Sequence, residues 1–168
     1  MDTYIYNSLS KECQECQIGG GCCFQAKPPL TNDRIKILLE NGISIENIEF
    51  SKYKRLRVKS DGFCVFFENG RCGIHSIKPE TCVAGPFTFD LRDSILEIYL
   101  KKQSICPMVE LLKENDDIFE QFLEIAVEKF KELLKALSKE ELVEILKIDE
   151  PETELVKEIL LTDWSSCK

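Results

Sequence analysis

Histidine is nearly missing from these 168 residues: His75 is the only one. No Ser–His–Asp set is present, and no Walker loop. No Gly-x-Gly-x-x-Gly follows a strand, and the Gly19–Gly21 triplet neither follows a strand nor opens a helix, as a nucleotide loop must. The ordinary catalytic kits are therefore excluded, and His75 reads as a structural or partly exposed ring rather than a proton carrier. Long apolar runs are also missing, so no segment is expected to span a bilayer. The start, Met1-Asp2-Thr3-Tyr4, is polar and acidic; no signal peptide is expected, and the chain is expected to be cytoplasmic. There is no internal repeat and no low-complexity stretch. A basic excess is missing too. Net charge is −8, with +1 through Pro107 and −9 from Met108 onward. That balance weighs against a nucleic-acid partner. The local exception, Lys52, Lys54, Arg55, Arg57 and Lys59, reads as a solvated strand face.

What the chain does have is cysteine, nine of them. In a reducing compartment a cysteine framework reads as metal binding or catalysis, not cross-linking. Cys13, Cys16, Cys22 and Cys23 fall within eleven residues around the glycine triplet; Cys64, Cys72, Cys82 and Cys106 follow singly. Thiolates are soft ligands for zinc and iron–sulfur clusters. A Cys-x-x-Cys turn aims two sulfurs at one centre, and the glycines let backbone pass close to it. These eight are the candidate metal ligands. In an extended chain, adjacent side chains diverge, so Cys22 and Cys23 are expected to serve two centres, or two parts of one polynuclear cluster. Structural zinc modules usually show two paired knuckles, whereas only one CxxC is present here. The reading therefore favours an iron–sulfur cluster, of the [4Fe–4S] type, with room for a second four-cysteine site; zinc is the alternative. Cys167, near the C-terminus and beyond Trp164, reads as a non-ligand.

The elements expected around these cysteines give an α+β fold. Residues 1–107 form a small, irregular, antiparallel-β cysteine domain with short helices. Residues 108–168 form a helical segment packed on it. Thr31 or Asn32 caps a helix carrying Ile35, Leu38 and Leu39, which Asn41-Gly42 ends. A short helix is expected from Ser44 to about Phe50, and strands over Tyr53–Lys59 and Phe63–Phe67. Asn69-Gly70 turns a hairpin into Cys72-Gly73-Ile74. Lys78–Cys82 reads as a turn, and Phe87–Phe89 and Ser94–Leu100 as strands. Apolar residues recur at helical spacing from Asp117 to Leu137. Ser138 with Glu141 forms a capping box for a helix over 139–147. A last helix is expected after Pro151, with Leu155, Val156, Ile159 and Leu160 on its apolar face.

The cysteines and their surroundings form an ordered string: Cys13-x-x-Cys16, Cys22-Cys23, Asp61-Gly62-Phe63-Cys64-Val65-Phe66, Gly70-Arg71-Cys72-Gly73-Ile74-His75, Lys78-Pro79-Glu80-Thr81-Cys82, Pro86-Phe87 and Cys106-Pro107. Over about residues 13–107 this string resembles the zinc- or iron-chelating CxxCxxCC proteins, also called YkgJ-like cysteine cluster proteins. The resemblance implies a metal- or iron–sulfur-binding domain, and one associated chemistry, since a flagellin lysine methylase carries a similar domain. The chain departs from the pattern in several places. The gap from Cys16 to Cys22 is longer than the family name implies. His75 stands where tyrosine is common, Lys78 where arginine is common, and Val83 where arginine follows the cysteine.

The function expected is metal binding for redox work or electron transfer, with a redox or protein partner that the sequence does not name. The alternatives are a zinc-stabilised protein- or RNA-interaction module, and an accessory or catalytic part of a protein-modifying enzyme such as a lysine methylase.

Overall fold

The computed structural model describes residues 21–149 and 152–162. Cys13, Cys16 and Cys167 lie outside them. The first helix, α1 (Asn32–Glu40), starts where expected: the Thr31 side chain accepts from the Arg34 backbone N–H at 3.0 Å. It ends at Asn41, and Gly42 follows at φ +81°, the left-handed region where glycine has no Cβ penalty. Leu38 points inward from α1 and is fully buried.

Three short antiparallel pieces follow. Strands β1 (Ile48–Phe50) and β2 (Lys54–Leu56) pair with Ile48 opposite Leu56. The helix expected over 44–50 is only a 3-10 turn, Ile45–Asn47, capped by Ser44. Ile48 then leaves it to pair with Leu56, which buries both side chains. The strand expected over Phe63–Phe67 is also broken. Cys64 N–H donates to Cys23 O, Val65 N–H to Arg57 O and Phe67 N–H to Cys64 O. One run of backbone thus divides its donors among three segments, and only Phe67–Glu68 remains as strand β3. It pairs with β4 (Arg71–Cys72). Asn69 and Gly70 turn the hairpin at φ +51° and +75°, the two positive values of a type I′ turn. Leu30, Leu38, Ile48, Leu56, Cys64 and Ile74 form the small core of this half.

The other half is built differently. Helix α2 (Glu80–Ala84) replaces the turn expected at Lys78–Cys82 and carries Cys82. Strands β5 (Phe87–Arg92) and β6 (Ile95–Lys101) form a hairpin close to the expected bounds. A helix that was not expected, α3 (Met108–Lys113), turns Met108, Val109 and Leu112 inward. Helix α4 (Asp116–Ala136) starts at an Asn115 cap and buries Leu123, Ala126, Phe130, Leu133 and Leu134 against the sheet. Phe89 meets Phe130 at a ring separation of 4.8 Å, and Phe87 meets Phe119 at 5.6 Å. Helix α5 (Lys139–Ile145) has the full capping box: Glu141 N–H donates to Ser138 Oγ, and Ser138 N–H donates to Glu141 Oε2.

The last expected helix is instead a strand, β7 (Thr153–Leu160), which pairs with β6 to give the sheet order β5-β6-β7. A bulge explains the misleading pattern. Ile98 faces Lys157 and Tyr99 faces Leu155, which leaves Val156 as the extra residue. Residues three apart in a regular strand face opposite ways. The bulge shifts that phase by one, so Val156 and Ile159 both pack on the core. The resulting spacing imitates a helix face. Among the described residues no helix is long and apolar enough to cross a membrane. The architecture is mixed α+β, with small antiparallel sheets and helices in the C-terminal segment.

Two ion pairs tie the halves together. Lys54 on β2 reaches Glu141 on α5 at 2.7 Å, and Lys52 reaches Glu144 at 2.8 Å. With Arg55 on Glu49 at 2.8 Å, most of the basic run noted in the sequence is neutralised within the molecule.

Candidate metal centre

The site begins at the turn that brings in Cys22 and Cys23. A Cβ on Gly21 would collide with the Ile105 carbonyl oxygen, so only glycine lets this turn come so near the segment bearing Cys106. Cys64 N–H donates to Cys23 O at 2.9 Å, which ties that turn to the Phe63–Phe67 segment. The flanking aromatics fix the same register. Phe24 bridges to Phe63, with ring centroids 5.2 Å apart, and Phe63 stacks on Phe67 at 5.0 Å. Phe67 pairs in turn with Cys72 across the hairpin. Each of these rings thus belongs to a residue next to, or opposite, a cysteine. The Phe24 ring needs Gly62, at φ +88°, beneath it: a Cβ there would come within 2.7 Å.

Electrostatics shows which thiols share this space. Cys23 donates to the Cys22 sulfur and holds the Cys22 thiol down at about 6; Lys101 and Lys78 assist, and burial opposes. The same hydrogen bond pushes the Cys23 thiol far up, aided by burial and by the charges of Cys22, Cys82 and Cys72. Burial raises Cys82, with further contributions from Cys22, Cys64 and Cys72, while Lys78 opposes. Burial likewise raises Cys64, opposed by the Phe66 N–H and by Lys59. Cys22, Cys23, Cys64, Cys72 and Cys82 therefore lie within one another's electrostatic reach, with Lys59, Lys78 and Lys101 around them.

The expected divergence of the vicinal pair does not hold. Cys22 and Cys23 occupy a turn, not an extended segment, and turn backbone lets adjacent side chains converge, so these two thiols share a hydrogen bond. Cys106 is buried in the larger core with Met108 and Val109; its neighbour Ile105 lies against Gly21, next to Cys22. His75 is half-buried, with Lys78 Nζ 3.4 Å from its Nε2. Burial, then Lys78, holds its imidazole below the usual histidine range. All six described cysteines are free thiols.

The donor chemistry is of the kind that binds a soft metal, since thiols from separate segments lie within electrostatic reach of one another and of cations. Among the described residues, however, no three Cys, His, Asp or Glu side chains are gathered closely enough to enclose an ion. Sequence reasoning missed the cations. Lys101 sits at the end of β6, nearly eighty residues from Cys22 in sequence, and only the fold brings the two together. It also missed Arg34, which holds the segment bearing Cys82. The Arg34 Nε and Nη2 donate to Glu80 Oε1 at 3.1 and 2.9 Å, and its Nη1 donates to Ile77 O at 3.1 Å.

A small α+β fold that delivers thiols from several turns is a cysteine-rich class of domain. Residues 12–116 match the model of the CxxCxxCC family, described as a "Putative zinc- or iron-chelating domain", and the chain belongs to that family. The match runs past Pro107 and takes in helix α3. No curated protein and no solved structure matches the chain.

Proposed function

We propose that this protein holds an iron–sulfur cluster, of the [4Fe–4S] type, for redox work or electron transfer, with Cys13, Cys16, Cys22, Cys23, Cys64, Cys72, Cys82 and Cys106 as the ligand pool. The family match over residues 12–116 supports this reading, together with the ties between the cysteine-bearing segments: Cys64 N–H donates to Cys23 O, Cys72 pairs with Phe67, and Cys22, Cys23, Cys64, Cys72 and Cys82 influence one another electrostatically. Five thiols exceed what one tetrahedral zinc ion takes, which favours a polynuclear centre or two centres. Lys59, Lys78 and Lys101 would offset the negative charge of a thiolate-bound cluster. Cys13 and Cys16 would add two further donors to that pool. Such a cluster supplies one-electron chemistry when bound; the chain supplies its ligands and its cationic surroundings.

Anaerobic purification followed by iron, acid-labile sulfide and zinc analysis tests the proposal. A brown protein with iron and sulfide in equal amounts is the expected result. A colourless protein with stoichiometric zinc would replace the cluster by the second reading, a zinc-stabilised interaction module. The small core of the cysteine-bearing half supports that second reading, because such cores often rely on a structural metal. In either case Cys16→Ser and Cys82→Ser lower the bound metal, and Cys167→Ser leaves it unchanged.

A further inference from the structure

We infer that Arg34 is a positioning residue for Cys82: its guanidinium fixes the turn from which that thiol reaches the metal site. This rests on the metal-binding reading above. Helix α2, which carries Cys82, has only five residues and no side-chain cap at Pro79. A helix that short has little stability of its own, so something outside it must set its direction. Arg34 on α1 does so across more than forty residues of chain. One edge of its planar fork grips Glu80 Oε1 in the first turn of α2. Its Nη1 donates to Ile77 O, at the end of the 3-10 turn His75–Ile77. The two anchor points lie on either side of Lys78-Pro79, and Pro79 is fully buried. Both sides of the bend that aims Cys82 are therefore held by one side chain.

Glu80 is committed to this role. It is 6% exposed, its Oε1 accepts both bonds from Arg34, and its Oε2 is buried without a hydrogen-bond partner. Loss of Arg34 would leave a buried carboxylate with neither oxygen satisfied, which drives the bend to rearrange. Lysine is a poor substitute: it can pair with Glu80 but lacks the fork needed to hold Ile77 O at the same time. Neither Arg34 nor Glu80 needs to touch the metal for this to matter. Groups that orient ligands from behind typically change metal affinity by about 10–100-fold.

The test is a double-mutant cycle read as the rate of zinc loss to a chelator from the zinc-loaded full chain. Arg34→Lys is expected to speed release about tenfold in the otherwise native protein. In a Cys82→Ser background the same change should alter release by less than about twofold, because the thiol it positions is gone. Glu80→Gln, which keeps an acceptor for Arg34 and removes the charge, should have the smaller effect of the two single changes. Leu133→Ala, in the distant larger core, controls for general destabilisation: it should lower Tm without matching the rise in release rate. If Arg34→Lys speeds release equally in both backgrounds, or no more than Leu133→Ala does, the positioning role is overturned. If the unmutated chain takes up neither zinc nor iron with sulfide, the metal-binding reading itself fails, and the inference falls with it; if it holds only an iron–sulfur cluster, the same cycle is read as the rate of iron loss to the chelator.

Discussion

Among the described residues, a cluster of six buried residues holds the segment between Leu30 and Ile74, while a cluster of eighteen, with Tyr53 reaching in from that segment, forms the core around strands β5 and β6 and helices α2 to α5. The strands differ in the same way. None of β1 to β4 exceeds three residues, whereas β5, β6 and β7 have six, seven and eight. Ordering a residue costs on the order of 1–2 kcal/mol of backbone entropy, and only apolar burial and bonding offset it. The larger half meets that cost with a sheet and a long amphipathic helix. The smaller half spends its chain on turns that deliver Cys23, Cys64 and Cys72, and those turns bury little. The comparison teaches that the cysteine turns need support from outside their own core. Part of it comes from the larger half, through Lys54–Glu141 and the Gly21–Ile105 contact. Metal would supply the rest.

Metal removal should therefore separate the two halves more than any substitution does. Metal–thiolate bonds contribute directly to folding, about 10–16 kcal/mol in small zinc domains. Stripping metal under reducing conditions is expected to expose the Asp61-Gly62 turn to protease while α4 and the β5–β6 hairpin stay protected. Hydrogen exchange should show the same division. Identical protease patterns with and without metal would break the comparison, and would leave the metal a purely chemical role.

Core truncation is the next largest effect, and its direction is opposite. Phe130 is fully buried against Phe89, so Phe130→Ala should cost about 3–5 kcal/mol. Because that loss falls on the half that stands by itself, added metal should recover little of it. Leu38→Ala, in the smaller core, should cost about 2–4 kcal/mol in the metal-free protein, and bound metal should recover most of that. Denaturant melts of both variants with and without zinc check the contrast; equal recovery by metal would show that the halves unfold as one unit.

A smaller effect measures how the halves are joined. Lys54 and Glu141 pair at 2.7 Å with side chains only 23% and 14% exposed, and Glu141 also closes the capping box of α5. A cycle of Lys54→Met and Glu141→Gln should give a coupling of about 1 kcal/mol, at the upper end for partly exposed pairs. A coupling near zero would mean that the ion pair reports proximity without holding the halves together.

Legibility followed locality in sequence and not the division into halves. Helix α4, the Ser138–Glu141 capping box and the Asn69-Gly70 hairpin were readable because each depends on residues close in sequence. Strand β7 was not, because the bulge at Val156 gives a strand the spacing of a helix, and only pairing with β6 decides between them. Phe63–Phe67 looks like a strand by composition, yet its donors go to Cys23, Arg57 and Cys64. The cysteine string pointed to the region of the site, since thiols clustered in sequence have few other uses. The convergence of Cys22 and Cys23 was misjudged because it depends on a turn, and the lysines and Arg34 were invisible because only the tertiary fold brings them in.

The smallest expected effect lies on the face of the large sheet turned away from its core, and it asks whether that half carries a polar contribution of its own. Glu97 is buried there among its partners. Arg92 Nε donates to its Oε1 at 2.8 Å, Tyr99 Oη donates to its Oε2 at 2.7 Å, and Arg92 also reaches Glu158 on β7 at 3.0 Å. The Tyr99 hydrogen bond, then Arg92, holds the Glu97 carboxyl below the usual glutamate range. A carboxyl with a depressed folded-state pKa stabilises the fold fully above its unfolded value, about 4.3. That stability is lost as pH falls through the lower folded value. Glu97→Gln should therefore lower Tm by a few degrees at pH 7, on the order expected for about 1 kcal/mol in a chain of this size. The gap to the unmutated protein should stay constant while pH remains above the unfolded value and close progressively as pH falls from there through the lower folded value, where the native carboxyl takes up its proton. Thermal melts of the two proteins across that range decide it. A gap that widens in acid would mean that Glu97 is strained by burial rather than stabilised by Tyr99 and Arg92.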